Sequence, residues 1–203
     1  MKNNGSQINI IVVDAIMGSY KSTSAIELIK NKPQEKFIFV TEYIPEVERV
    51  LEAVGGIIQP EAKYGEGSKA KHLLELLESG KRIATTHKLF SMINVANYHL
   101  LNDYTMILDE VPNVIEPIKI LTDDVKMLVN EHTILVDSDS KVNINDDNYN
   151  GEFRERLDKC NTMDVYLYSD QLIAEVNPDL FRALKQTMVL TYQFEGSYLF
   201  HYF

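Results

Sequence analysis

The sequence holds one cysteine, Cys160, and no tryptophan. A lone thiol excludes an internal disulfide and suits a reducing cytosol. No stretch approaches the roughly 20 consecutive apolar residues needed to cross a bilayer, so no membrane contact is expected. The first seven residues, Met1 to Gln7, are polar and run directly into an apolar segment, which is not the layout of a secretory signal. The five histidines (His72, His87, His99, His132, His201) are scattered without metal-ligand spacing. Positive charge is scarce: 20 Lys and Arg stand against 30 Asp and Glu, a net charge of −10, with no basic cluster. A protein gripping duplex phosphates shows a basic face, so nucleic-acid binding by this chain alone is expected to be weak. The acidity reads as a solvated surface. Repeats, linkers and low-complexity tracts are also lacking.

What is present is organised around residues 8–30. Ile8-Asn9-Ile10-Ile11-Val12-Val13-Asp14 is a short apolar run, and Ala15-Ile16-Met17-Gly18-Ser19-Tyr20-Lys21-Ser22-Thr23 follows as a small-residue turn. Ala25, Ile26, Leu28 and Ile29 then repeat at helical spacing. Strand, turn, Lys-Ser and helix is the layout of a phosphate-binding loop, G-x-x-x-x-G-K-[ST]. Successive backbone N–H groups and a helix N-terminus converge on an anion, a lysine adds a mobile charge, and the serine offers a hydroxyl to Mg²⁺. Two positions depart from the pattern. Ala15 is a mild change; Tyr20 stands where glycine lets the backbone approach the phosphates, in a conformation that a β-carbon disfavours.

The rest of the chain alternates strands and helices. Lys36–Thr41 reads as a second strand, Pro45–Val54 as a helix and residues 57–67 as loop. A helix capped by Ser68 carries Leu73, Leu74, Leu76 and Leu77, and Lys81–His87 is a third strand. Leu89, Phe90, Met92 and Ile93 begin another helix, and Tyr104–Glu110 is a fourth strand. This alternation predicts α/β architecture, a three-layer sandwich with a mainly parallel sheet and right-handed crossovers. At 203 residues the chain is expected to form one domain. Further on, Leu121–Asn130 reads as helix, and Thr133–Asp137 with Lys141–Ile144 as a hairpin around Ser138-Asp139-Ser140. Asn145–Gly151 is a polar loop whose acidic residues lack the EF-hand order for calcium. Phe153–Cys160 reads as helix, Val165–Tyr168 as strand, Pro178–Lys185 as a short helix and Thr187–Tyr192 as a final core strand.

Ile107-Leu108-Asp109-Glu110 supplies the loop's natural partner. An aspartate at the carboxyl end of a core strand can hold Mg²⁺ opposite Ser22, and the adjacent glutamate can position or deprotonate an attacking water.

With these residues in hand, the chain resembles the first motor lobe of superfamily two helicases, the DEAD/DEAH-box type, in the form often carried by phages. Residues 15–23 look like motif I, Phe39-Val40-Thr41 like motif Ia, and Ala84-Thr85-Thr86-His87-Lys88-Leu89-Phe90 like motif Ib. Leu108-Asp109-Glu110-Val111 looks like motif II. Leu190-Thr191-Tyr192 with Phe194-Glu195-Gly196-Ser197 looks like motif III.

The resemblance implies a P-loop NTPase (RecA-like) lobe over residues 1–203 that takes ATP with Mg²⁺ in the cytosol, the host's if phage-encoded. It implies that Ala15, Gly18, Ser19, Tyr20, Lys21, Ser22 and Thr23 surround the nucleotide, with Lys21 on the β/γ-phosphates. Ser22 and Asp109 would hold Mg²⁺, Glu110 would activate water, and Thr191 would couple nucleotide state to interlobe movement. Thr41, Thr85, Thr86 and His87 would lie where the family touches a nucleic-acid backbone. A second lobe with its arginine finger does not follow motif III within these residues, so hydrolysis is expected to be weak or partner-dependent, without autonomous unwinding. The alternative is a catalytically degenerate lobe serving as a phage regulatory or decoy module. Its contact with a protein partner or second copy would run through the aromatic end, Tyr192, Phe194, Tyr198, Phe200, Tyr202 and Phe203. That end could add a β-strand to a partner's sheet or tuck against the core.

Overall fold

The computed structural model describes residues 8–16 and 18–202. Met17 of the loop, residues 1–7 and Phe203 of the tail lie outside the described residues, as do the side chains of His201 and Tyr202. The chain divides into two compact units, one up to Pro112 and again from Pro178, the other Asn113–Asn177. The sequence reading treats the same residues as one lobe.

The first unit opens with β1 (Ile10–Asp14), α1 (Lys21–Asn31), β2 (Lys36–Thr41), α2 (Ile44–Ala53) and β3 (Ile57–Ile58). It continues with α3 (Lys69–Glu78), β4 (Arg82–Thr86), α4 (His87–Phe90) and β5 (Tyr104–Asp109). The second unit supplies β6 (Ile115–Ile118), α5 (Thr122–Asn130), β7 (Ile134–Val136), β8 (Lys141–Ile144), α6 (Arg154–Leu157), β9 (Asp164–Tyr168) and β10 (Gln171–Glu175). The chain then returns to the first unit with α7 (Asp179–Ala183), β11 (Gln186–Thr191) and α8 (Tyr198–Tyr202).

The architecture is α/β, with a six-stranded sheet in the order β1-β11-β5-β2-β4-β3, every pairing parallel. Continuous apolar runs such as Phe37-Ile38-Phe39-Val40 are buried on both faces, as a parallel sheet requires. Phe37, Phe39, Ile107 and Leu190 point to the face where Ala25, Ile26 and Ile29 of α1 meet Val47 and Val50 of α2. Ile38, Val40, Met106 and Leu108 alternate to the opposite face. Crossovers that run back along the sheet, through α3 and α7, fall on that opposite face when right-handed. The result is helix, sheet, helix, as the alternation of elements predicts.

Parallel order has one consequence for chemistry. The carboxyl ends of all these strands lie along one edge. Asp14 pairs with Thr191, Leu190 with Asp109, Asp109 with Thr41, and Thr41 with Thr86. Every segment that the helicase resemblance singles out therefore leaves the sheet on the same side, where ligands bind in open α/β sheets.

The second unit is a five-stranded antiparallel sheet, β6-β10-β9-β8-β7, with its own core of Ile118, Val125, Leu128, Ile134, Val142, Leu157, Val165 and Leu172. The predicted hairpin is β7–β8. Two strands, β6 and β10, are absent from the sequence reading. Pro117 sits in β6, which pairs only with β10 and so tolerates a residue lacking an N–H. Residues 57–67, expected as loop, contain the two-residue β3 and a 3₁₀ turn. The aromatic tail forms the short helix α8 and not a strand, and its Leu199 is fully buried. Ser197 accepts from the Phe200 N–H, and the Phe194 and Phe200 rings meet edge to face at 5.8 Å. A helical backbone is not extended and so does not present a strand to a neighbour's sheet edge.

Candidate nucleotide site

Lys21 is the first residue of α1, and no side chain caps that helix. Its leading N–H groups have no carbonyl one turn back to bond, which leaves a partial positive charge at the loop. The turn reaches this point through two left-handed residues, Gly18 at φ 79° and Tyr20 at φ 60°, ψ 25°. A β-carbon on Gly18 would meet nothing within 4 Å, so its glycine is required by backbone angle and not by space. Tyr20 adopts the conformation expected of a glycine and bears the strain of doing so. Tyr20 is 77% exposed, so its side chain is turned largely to solvent.

Lys21 Nζ donates to the Ala15 carbonyl at 2.6 Å and the Ile16 carbonyl at 3.1 Å. The loop thus folds over its own cation. Ala15 donates its N–H to Thr191 O at 3.1 Å, and Ser19 donates to Ile16 O at 3.3 Å. Ser22 Oγ donates to Asp109 Oδ1 at 2.7 Å. Thr23 continues α1 in its first turn.

Asp109 is 8% exposed, and burial pushes its carboxyl above the ordinary carboxylate value. The Ser22 hydrogen bond opposes that rise, the Glu46 charge adds to it, and Arg49 and Lys21 oppose it. Glu110 follows at φ 75°, its N–H bonded to Leu190 O at 3.0 Å. Gln193, past the end of β11, is left-handed at φ 58°. Tyr20, Glu110 and Gln193 thus follow neighbouring strand ends in a conformation that costs non-glycine residues energy, and such strain collects at functional sites. Ser22 and Asp109 are hard oxygen donors suited to Mg²⁺, which takes one or two protein oxygens and completes its shell with water and substrate phosphates. Among the described residues no group of three or more His, Cys, Asp or Glu could hold a metal by itself.

The remaining sequence-selected residues divide by burial. Thr191 (3% exposed), Thr41 (2%) and Thr85 (1%) lie beneath the surface. Thr86 caps α4 by accepting the Leu89 N–H at 3.4 Å. His87 is half-buried; burial lowers its pKa, against the Glu42 charge and a hydrogen bond to the Val40 backbone, which raise it. Its Nε2 and the Thr85 hydroxyl are buried without a partner among the described residues. Thr85 and Thr86 line a cleft of about 440 Å³ with Ser68, Lys69 and Lys88, while Thr41 and His87 do not.

Three residues at this edge escaped the sequence reading. Asp14 accepts the N–H groups of Gln193 and Phe194, one on each oxygen, at 2.9 Å. Glu46 and Arg49 form an ion pair at 2.8 Å, and both charges act on the Asp109 carboxyl. A signal existed for the pair in its i,i+3 spacing on a helix; Asp14 left none, because its partners are 179 and 180 residues away.

Three similarities to known proteins accompany this geometry. Residues 115–174 match the family described as the YonV middle domain, a span that falls inside the second unit. The chain is 32% identical over 208 residues to the SPbeta prophage-derived uncharacterized protein YonV of Bacillus subtilis (strain 168), covering 95% of this chain and 50% of that protein. It therefore spans about half the length of the relative it matches. The structure of S. tokodaii Xpd4 superposes with a TM-score of 0.40 and 14% identity, covering 91% of this chain and 53% of that one. No helix among the described residues is long and apolar enough to cross a membrane.

Proposed function

We propose that this chain is a helicase-type, phage-encoded P-loop lobe that binds ATP with Mg²⁺ at the bend after β1. The observation that carries the reading is the 2.7 Å contact between Ser22 and Asp109, which joins the loop to the acidic strand end. The parallel strand order supports it too, because it sets β11 between the strands that lead into Ala15 and Glu110.

On this reading the α1 N-terminus and the loop N–H groups receive the phosphates. Lys21 exchanges the Ala15 and Ile16 carbonyls for the β/γ-phosphate oxygens. Ser22 and Asp109 would hold Mg²⁺ in place of their mutual hydrogen bond. When bound there, the ion withdraws charge from the phosphates and orients them. Glu110, beside Asp109 at the strand end, holds the attacking water and takes its proton. Thr191, whose carbonyl accepts the Ala15 N–H, links loop occupancy to the segment after β11. Hydrolysis is weak or partner-dependent and unwinding is not performed by this lobe alone; nucleic acid, where it binds, uses the cleft edged by Thr85 and Thr86.

The test is thermal denaturation with and without millimolar Mg·ATP. Ligand at one hundred times its Kd stabilises by about 2.7 kcal/mol, which moves the midpoint by several degrees in a unit of this size. Lys21→Ala is expected to remove most of that shift, measured against the variant's own ligand-free midpoint, since it also loses the two loop contacts of Lys21. A wild-type midpoint indifferent to Mg·ATP would end the reading.

A further inference from the structure

Glu46 and Arg49 occupy the first two turns of α2, and Arg49 binds Glu46 Oε2 through both Nε (2.9 Å) and a terminal nitrogen (2.8 Å). The helix starts three residues after Thr41, the register partner of Asp109. Val47 and Val50, fully buried between and beside them, seat α2 on the sheet and hold both charged residues at the strand-end edge. The two charges act on the Asp109 carboxyl in opposite senses, Glu46 against its ionisation and Arg49 for it, as Lys21 also does. Both side chains keep solvent access, 40% for Arg49 and 37% for Glu46.

We propose that Arg49 recognises the terminal phosphate of a nucleoside triphosphate, leaving Glu46 for it when the nucleotide binds. The inference rests on the reading of the bend as a nucleotide site. A guanidinium presents a planar fork that matches phosphate oxygens in pairs, whereas the Lys21 ammonium is a point charge. In the proposed site Lys21 is shared between the β- and γ-phosphates, whereas Arg49 meets the terminal group alone. A diphosphate lacks the group that would draw Arg49 away, so Arg49 stays with Glu46. The pair then separates triphosphate from diphosphate, and Glu46 sets the threshold by competing for the cation.

Calorimetric titration of the full chain with Mg·ATP and Mg·ADP, repeated on R49A, R49K and E46Q, decides it. Wild type is expected to prefer Mg·ATP. R49A is expected to lose on the order of tenfold in Mg·ATP affinity with Mg·ADP affinity unchanged, and R49K to recover part of the loss. E46Q is expected to move the other way, with tighter Mg·ATP binding, a gain that a misfolded variant cannot produce. An unchanged ATP-to-ADP ratio in R49A overturns the role of Arg49 and leaves the nucleotide site standing. Equal loss of both nucleotides in R49A marks a structural role and overturns it as well. Wild type that binds neither nucleotide removes the site and this inference together.

Discussion

The Ser22 hydroxyl donates to the Asp109 carboxylate at 2.7 Å across 87 positions of sequence. One residue lies in the first turn of α1 and the other closes β5, so the contact joins the loop to the far side of β11 in the sheet. A cation can enter between these oxygens only by displacing the shared proton contact. The hydrogen bond therefore occupies the place that the proposed function assigns to Mg²⁺.

Asp109→Asn is expected to stabilise the fold while removing the response to Mg·ATP. Burial raises the Asp109 pKa above its unfolded value, so the folded state holds the proton more tightly. The protonated group contributes stability that is fully present below the unfolded pKa and lost as pH rises through the folded one. At neutral pH the ionised carboxylate is a net burden. Asparagine keeps an acceptor for Ser22 without the charge. Melting curves from pH 3 to 8 should show the variant above wild type at pH 7 and the two converging at the acid end. A variant that melts lower at pH 7 would contradict this account.

Tyr20→Gly separates strain from obstruction. A non-glycine residue in the left-handed region costs roughly 1–2 kcal/mol, and glycine's extra unfolded-state freedom returns about 0.5–1 kcal/mol of that. Chemical denaturation should find the variant more stable by up to about 1.5 kcal/mol on these two figures. Mg·ATP affinity should stay within about threefold, because the backbone already takes the glycine-like angles and the ring is exposed. A tenfold gain in affinity would instead show the phenol ring acting as an obstacle.

Asp14→Ala should loosen the segment after β11. The carboxylate accepts the Gln193 and Phe194 N–H groups at 2.9 Å each, and hydrogen bonds to a charged group contribute about 1.5–3 kcal/mol. Hydrogen exchange should accelerate at these two amides and leave the β5 amides protected. Uniform acceleration across the sheet would mean that Asp14 serves the whole fold and not this one clasp.

Leu128→Ala addresses the second unit alone. Leu128 is fully buried in the core that α5 shares with Ile134, Val142 and Leu172. Large-to-small changes at such positions cost about 2–5 kcal/mol. Limited proteolysis should open cleavage sites within 113–177 at lower temperature, with the Mg·ATP shift of the first unit unchanged. Loss of that shift would show that nucleotide binding depends on the second unit's integrity.

The sequence by itself determined the α/β class, because strands buried on both faces must be continuous apolar runs, as Phe37–Thr41 and Tyr104–Asp109 are, and such runs alternate here with helical periodicity. It also determined the order of loop, lysine, serine and acidic pair, since those signals are local. Tertiary structure alone decided what depends on partners distant in the chain. The β6 and β10 strands exist through pairing with each other and with β9, and Pro117 concealed the first. Tyr20 is held left-handed by a loop whose ends are anchored to β11 and the core, against its own preference. The division into two units, the Asp14 clasp and the action of the Arg49 charge on Asp109 arise from contacts that no window of neighbouring residues contains. The physical reason is the same throughout: hydrophobic periodicity is written along the chain, whereas hydrogen-bond partners and charge environments are set by which strand ends the sheet brings together.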